Sequence, residues 1–130
     1  MTDEREPGRG CACEGGTLTR FLQPLILAFL TEKPCHGYDL LSRIADTSIW
    51  GEMPPDHSGV YRALRDMEKR GLLTSEIVHP EGVSLGRRVY ALTVQGQLCR
   101  HRWLETLVTY QENLREVIAL LEKADTTSSP

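Results

Sequence analysis

No stretch of this 130-residue sequence approaches the roughly eighteen consecutive apolar residues of a membrane span. The P-loop, the dinucleotide-binding glycine pattern and H-E-x-x-H are also missing, so no catalytic machinery is expected. The opening residues, Met1-Thr2-Asp3-Glu4-Arg5-Glu6-Pro7-Gly8, lack the basic start and apolar core of a secretory signal. A cytoplasmic location with reduced thiols is therefore expected. A surplus of basic residues is absent as well. The net charge is −3, with a pI near 5.8, a balance that taken whole argues against a nucleic-acid partner.

The distribution of charge reverses that inference. Residues 1–56 carry five Lys/Arg against nine Asp/Glu, residues 57–102 carry eight against four, and residues 103–130 carry two against five. A centre of +4 thus lies between flanks of −4 and −3, and a polyanion should meet the middle of the chain. With 40% hydrophobic and 25% charged residues, the composition is that of a globular protein, and the length suits one domain.

After a Gly-rich, cysteine-containing head (residues 1–18) in which little order is expected, residues 25–30 are apolar all round. That pattern predicts a short helix buried on most sides, started near Pro24 and stopped at Pro34. Residues 37–45 place Tyr38, Leu41, Ile44 and Ala45 at helical spacing, which predicts a second helix packed on the first through those four side chains. A third follows the Pro54-Pro55 connector, with Asp56 and Ser58 as capping candidates. Val60, Ala63, Leu64 and Met67 form its apolar stripe, and Gly71 stands just past its end. Its other face carries Ser58, Tyr61, Arg62, Arg65, Asp66 and Lys69.

Residues 72–78 and 87–93 are β-prone runs separated by a segment with one proline and two glycines, which predicts a hairpin with a long tip. Thr93 can cap a final helix over residues 94–123, followed by a frayed tail over 124–130. At ~1.5 Å per residue that helix is about 45 Å long, more than the core of one such domain requires. Leu107, Leu114 and Leu121 recur at seven-residue spacing, with Leu104 and Ile118 at the alternate heptad position and Trp103, Tyr110 and Val117 widening the stripe. Crossing with a symmetry mate explains such a seam, and so does coverage of the subunit's own core.

The order helix, helix, helix, hairpin, long helix is mainly α with a small β-hairpin: a winged helix-turn-helix domain over residues 19–93 plus a long C-terminal dimerisation helix. In that fold the third helix enters the major groove and the wing touches the flanking backbone. Phosphates require cations and hydroxyl donors, and base edges require long donors such as arginine. Ser58, Tyr61, Arg62, Arg65 and Lys69 meet those needs on the third helix, as do Arg87 and Arg88 on the wing's return strand. The same cations also fit an ordinary solvated face that balances Asp66 and Glu68.

Three blocks carry a family resemblance. His36-Gly37-Tyr38-Asp39-Leu40-Leu41, then the run Ser58-Gly59-Val60-Tyr61-Arg62 continuing to Gly71-Leu72, then Arg87-Arg88-Val89-Tyr90-Ala91-Leu92-Thr93 with Gly96, resemble the PadR-like winged helix-turn-helix transcriptional regulators over roughly residues 20–122. The resemblance implies a homodimeric DNA-binding regulator, in most members a repressor. It also implies pairing through a long C-terminal helix that packs on the partner's first helix. A double-stranded operator is then the expected partner, with two recognition helices meeting successive major grooves. A small-molecule or metal effector between the long helix and the first helix would alter their spacing, and Trp50 and Trp103 are candidates to line its pocket.

Four cysteines complete the inventory: Cys11, Cys13, Cys35 and Cys99. One C-x-C and two single residues depart from the paired C-x2-C of structural zinc sites, so no cofactor is required by the sequence. A zinc ion or iron-sulfur cluster near the dimer interface, or a redox input, is the alternative to thiols that merely pack. From a different functional class, the alternative is a winged-helix adaptor that holds a protein without reading DNA.

Overall fold

The apolar run and the prolines around it set the first helix. In the computed structural model of the chain, which describes residues 21–50, 54–82 and 84–128, helix α1 covers Leu22–Glu32, with Pro24 in its first turn. Lys33 leaves the helix in an extended conformation, as the residue before Pro34 must. Ile26, Leu27 and Leu30 are fully enclosed, while Leu22, Leu25 and Phe29 pack at the edge of the core. The all-round apolar character of α1 arises because it touches α2, α3, the sheet and α4 at once.

Strand β1 (Cys35–His36) follows, then α2 (Gly37–Ala45), a 3-10 turn (Ser48–Trp50), α3 (His57–Lys69), β2 (Leu73–Val78), β3 (Arg87–Leu92) and α4 (Val94–Ser128). The expected hairpin is present, in antiparallel register from Leu73 opposite Leu92 to Val78 opposite Arg87. It is extended to three strands in the order β1-β3-β2, with Cys35 opposite Tyr90 and His36 opposite Val89. Two residues between a proline and a helix are too few for alternation to reveal a strand.

Helix α2 corrects the expected phase. His36 caps it, its Nδ1 accepting from the Asp39 N–H at 3.3 Å, and Gly37, Leu40, Leu41 and Ile44 form the buried stripe. Tyr38 is 69% exposed and Ala45 also faces solvent. Spacing of three, one and three from Gly37 defines one helical face, whereas the set built on Tyr38 mixes two. Gly37 is required at the junction, because a Cβ there would come within 2.9 Å of the Tyr61 ring on α3.

Asp56 caps α3 by accepting from the Gly59 N–H at 2.8 Å. Val60, Leu64 and Met67 are driven into the core. The helix ends as the sequence foretold, with Gly71 at φ +79° and the N–H groups of Gly71 and Leu72 returning to the Glu68 and Met67 carbonyls.

Thr93 then joins the wing to α4. Its Oγ1 lies 2.6 Å from the Gly71 carbonyl oxygen and 2.9 Å from that of Leu72, and accepts from the Gly96 N–H at 3.0 Å. The N-terminal part of α4 packs on α1, and Cys99 and Trp103 rest against the core. From residue 108 to residue 126 every side chain is exposed. The helix does not stop at Lys123 with a frayed tail but runs to Ser128, since no glycine or proline interrupts residues 124–128 and the Thr126 hydroxyl donates to the Glu122 carbonyl.

Gly96 permits the close approach of α4 to the wing root: an added Cβ would collide with the Leu72 carbonyl oxygen and come within 2.7 Å of Leu92 Cδ1. Gly96→Ala is therefore expected to destabilise the fold by about 1–3 kcal/mol despite alanine's higher helix propensity, measured by denaturant unfolding. An unchanged or raised midpoint would contradict this packing.

Candidate nucleic-acid interface

Burying Val60, Leu64 and Met67 dictates what α3 offers to solvent. Ser58, Arg62, Arg65 and Lys69 are separated by four, three and four residues, so they form one exposed stripe along the helix. Arg62, Arg65 and Lys69 line one side of an open groove, with Asp66 and Glu68 beside them. Neither acid stands alone: Arg70 pairs with Asp66 at 3.2 Å, and Glu68 accepts from the Ser75 hydroxyl at 2.8 Å. Among the described residues no ion pair engages Arg62, Arg65, Lys69, Arg87 or Arg88.

The wing continues this surface. A cleft of 380 Å³ between the start of α2, α3 and β3 is lined by His36, Tyr38, Tyr61, Arg87, Arg88 and Tyr90, together with Gly37. Tyr61 is half-buried, its ring against Gly37 and its edge on the cleft, so it both packs and faces the site. Tyr90 is buried in the core. Burial holds its phenol above the ordinary value of 10.0; Glu68 and Tyr61 push the same way, while Arg88 and Arg65 oppose them. The wing lies beside α3, since Arg88 donates to Ser75 and Ser75 to Glu68. Of the candidate residues, Arg62, Arg65 and Lys69 share the groove on α3 and Tyr61, Arg87 and Arg88 share the cleft at the wing, while Ser58 lies exposed at the start of the α3 stripe and lines neither.

Sequence reasoning passed over Tyr38, His36 and Ser75. The four-residue stripe from Gly37 through Ile44 contained the signal for Tyr38, since it leaves that ring on the open side of α2. Residues 82–86 also spell G-x-S-x-G, but they join β2 to β3, whereas a nucleophile elbow joins a strand to a helix.

The tryptophans do not share a site. Trp50 closes the end of α2, its indole N–H donating to the Ile44 carbonyl at 2.7 Å, and Trp103 donates to Gln23 Oε1 at 3.3 Å on α1. An apolar cleft between α1 and α4 is lined instead by Phe21, Pro24, Leu25, Ala28, Ile49 and Leu107. Cys35 is buried, its thiol donating to the Lys33 carbonyl and accepting from Arg43, while Cys99 is half-buried on α4. Cys11 and Cys13 lie outside the described residues. Among the described residues no group of three or more His, Cys, Asp or Glu side chains is placed to hold a metal ion. Among them, too, no helix is long and apolar enough to cross a membrane.

Three helices, a small sheet with the third helix and wing on one face, and a trailing long helix define a winged helix-turn-helix protein. The Transcriptional regulator PadR-like family matches residues 26–102, more than half of the sequence, and the chain belongs to that family. Among solved structures, a PadR family transcriptional regulator from Eggerthella lenta is similar at 25% identity and a TM-score of 0.68, over 82% of this chain and 90% of that one. A PadR family transcription regulator from Clostridium difficile shares the fold at 21% identity and a TM-score of 0.67, over 75% of this chain and 98% of that one. Bacillus subtilis PadR, solved in complex with operator DNA, is similar at 28% identity and a TM-score of 0.57; the match covers 65% of this chain and 46% of that protein. No curated protein matches the sequence.

The raised pKa of Tyr90 gives a signed expectation. The folded state favours the neutral phenol, so its stabilisation is complete below pH 10 and is lost as pH rises through the folded-state value. Unfolding titrations should show wild type losing stability above pH 10 more steeply than Tyr90→Phe. Parallel curves would show that the phenol is not held neutral.

Proposed function

We propose that the chain is a homodimeric, sequence-specific DNA-binding transcriptional regulator that represses by occupying a pseudo-palindromic operator in the cytoplasm. The observation that carries this reading is that the exposed cations Arg62, Arg65 and Lys69 of α3 adjoin a wing bearing exposed Arg87 and Arg88, the two elements being joined through Glu68, Ser75 and Arg88. Its side chains match the two tasks of a groove binder. Arginines on the exposed stripe of an inserted helix reach base edges, and the wing arginines with Tyr38 and Tyr61 face the sugar-phosphate backbone. That Bacillus subtilis PadR is solved in complex with operator DNA supports DNA as the partner.

Pairing is supported by α4. Leu104, Val108, Leu114, Ile118 and Leu121 lie along one side of it and are each about half exposed in the single chain. A helix of 35 residues that carries such an arc is covered best by the same arc on a second copy, since a seam of heptad spacing is complementary to itself. The apolar cleft bounded by Pro24, Leu25 and Leu107 lies between α1 and α4, where an apolar effector would change the angle between paired subunits and with it the distance between recognition helices.

Selection of duplexes from a random pool gives the operator and tests the reading. Binding should weaken steeply as salt rises, and Arg62→Ala or Arg65→Ala should each reduce affinity for the selected duplex by about tenfold or more while leaving the dimer intact in sedimentation. Ile118→Asp should separate the subunits and abolish tight operator binding. If the arginine variants bind DNA as wild type does, the protein is an adaptor and the cationic face serves a protein partner.

A further inference from the structure

Arg88 is not a loose surface cation. Its Nη1 donates to Ser75 Oγ at 3.0 Å, and that oxygen in turn donates its own proton to Glu68 Oε2 at 2.8 Å. The three residues come from β3, β2 and α3, so two hydrogen bonds tie both strands of the wing to the recognition helix. Ser75 lies opposite Tyr90 in the register and Arg88 opposite Ile77, which makes Ser75 and Arg88 diagonal neighbours on one face of the sheet. Arg88 also lines the cleft shared with Tyr38 and Tyr61.

We propose that Ser75 is a positioning residue for DNA binding: its hydroxyl stands between Arg88 and Glu68, keeping the guanidinium presented to a backbone phosphate and out of a direct pair with the carboxylate. The proposal rests on the DNA-binding reading of this face. A serine hydroxyl is suited to the place because it accepts from one neighbour and donates to the other at the same time. Its bond to Glu68 fixes the hydroxyl's own orientation, leaving an oxygen lone pair for Arg88. With the hydroxyl removed, the strongest partner left within reach of Arg88 is Glu68 itself. A charge-assisted pair there would draw the cation from the phosphate into an internal bond. Ser75 touches no DNA in this scheme and acts through Arg88 alone.

Three features separate this role from a structural one. Ser75→Ala should bind the selected duplex about fivefold more weakly, with a similar loss on a duplex of unrelated sequence, because a phosphate contact carries no base information. The salt dependence of Ser75→Ala should fall by about one unit of slope, as for the loss of one phosphate contact, and Ser75→Thr should restore both affinity and slope. In an Arg88→Ala background, Ser75→Ala should cause no further loss. The proposal is overturned if Ser75→Ala leaves affinity and slope unchanged, or if its effect persists in full without Arg88. Arg65→Ala, measured alongside, distinguishes the two levels. A large effect of Arg65→Ala with none of Ser75→Ala removes the relay and leaves the DNA-binding reading standing; no effect of Arg65→Ala removes both.

Discussion

The seating of α3 on the core is the interaction on which everything else depends. A helix has one rotational setting that buries Val60, Leu64 and Met67 together, and at 3.6 residues per turn that setting also decides the direction of every other side chain. Ser58, Arg62, Arg65 and Lys69 face outward as a row because the opposite row is apolar. The contribution of the core to function is thus geometric. It aims charges that would be free to rotate on an isolated helix, with Gly37 admitting the Tyr61 ring and the β2–β3 pair holding Tyr90 in the same cleft.

The acidic overall balance and the exposed cations of α3 and the wing coexist because several acids are engaged or placed elsewhere. Asp66 is answered by Arg70, Glu68 by Ser75, and Glu32 by Arg43, which also lies 4.4 Å over the Phe29 ring. Glu105, Glu112, Glu116 and Glu122 are carried away along α4.

Much of this was legible in the order of residues. The α3 stripe, its Asp56 cap, its Gly71 stop, the paired strands and the Thr93 cap each rest on a local rule that needs a few neighbours in sequence and nothing distant. Where the sequence misled, the missing information was either a phase or a contact between distant segments. Tyr38 was placed inward because its spacing to Leu41 and Ile44 satisfied a helical pattern, while the better stripe began at a glycine that carries no hydrophobic signal of its own. Strand β1 exists only because β3 offers it an edge. The Glu68–Ser75–Arg88 chain joins residues that are seven and thirteen positions apart, and no short-range pattern marks it. Trp50 and Trp103 looked like pocket walls, yet each indole N–H was already claimed by a nearby acceptor.

The Thr93 junction has a mechanical implication. Its hydroxyl joins the last residues of the recognition helix's exit turn to the first turn of α4, and Gly96 lets the two backbones touch. No flexible joint therefore separates the reading head from a shaft of 35 residues, about 52 Å in length. Under the proposed pairing, tilting the far end of that shaft by a few degrees would swing α3 and the wing through a proportionate arc.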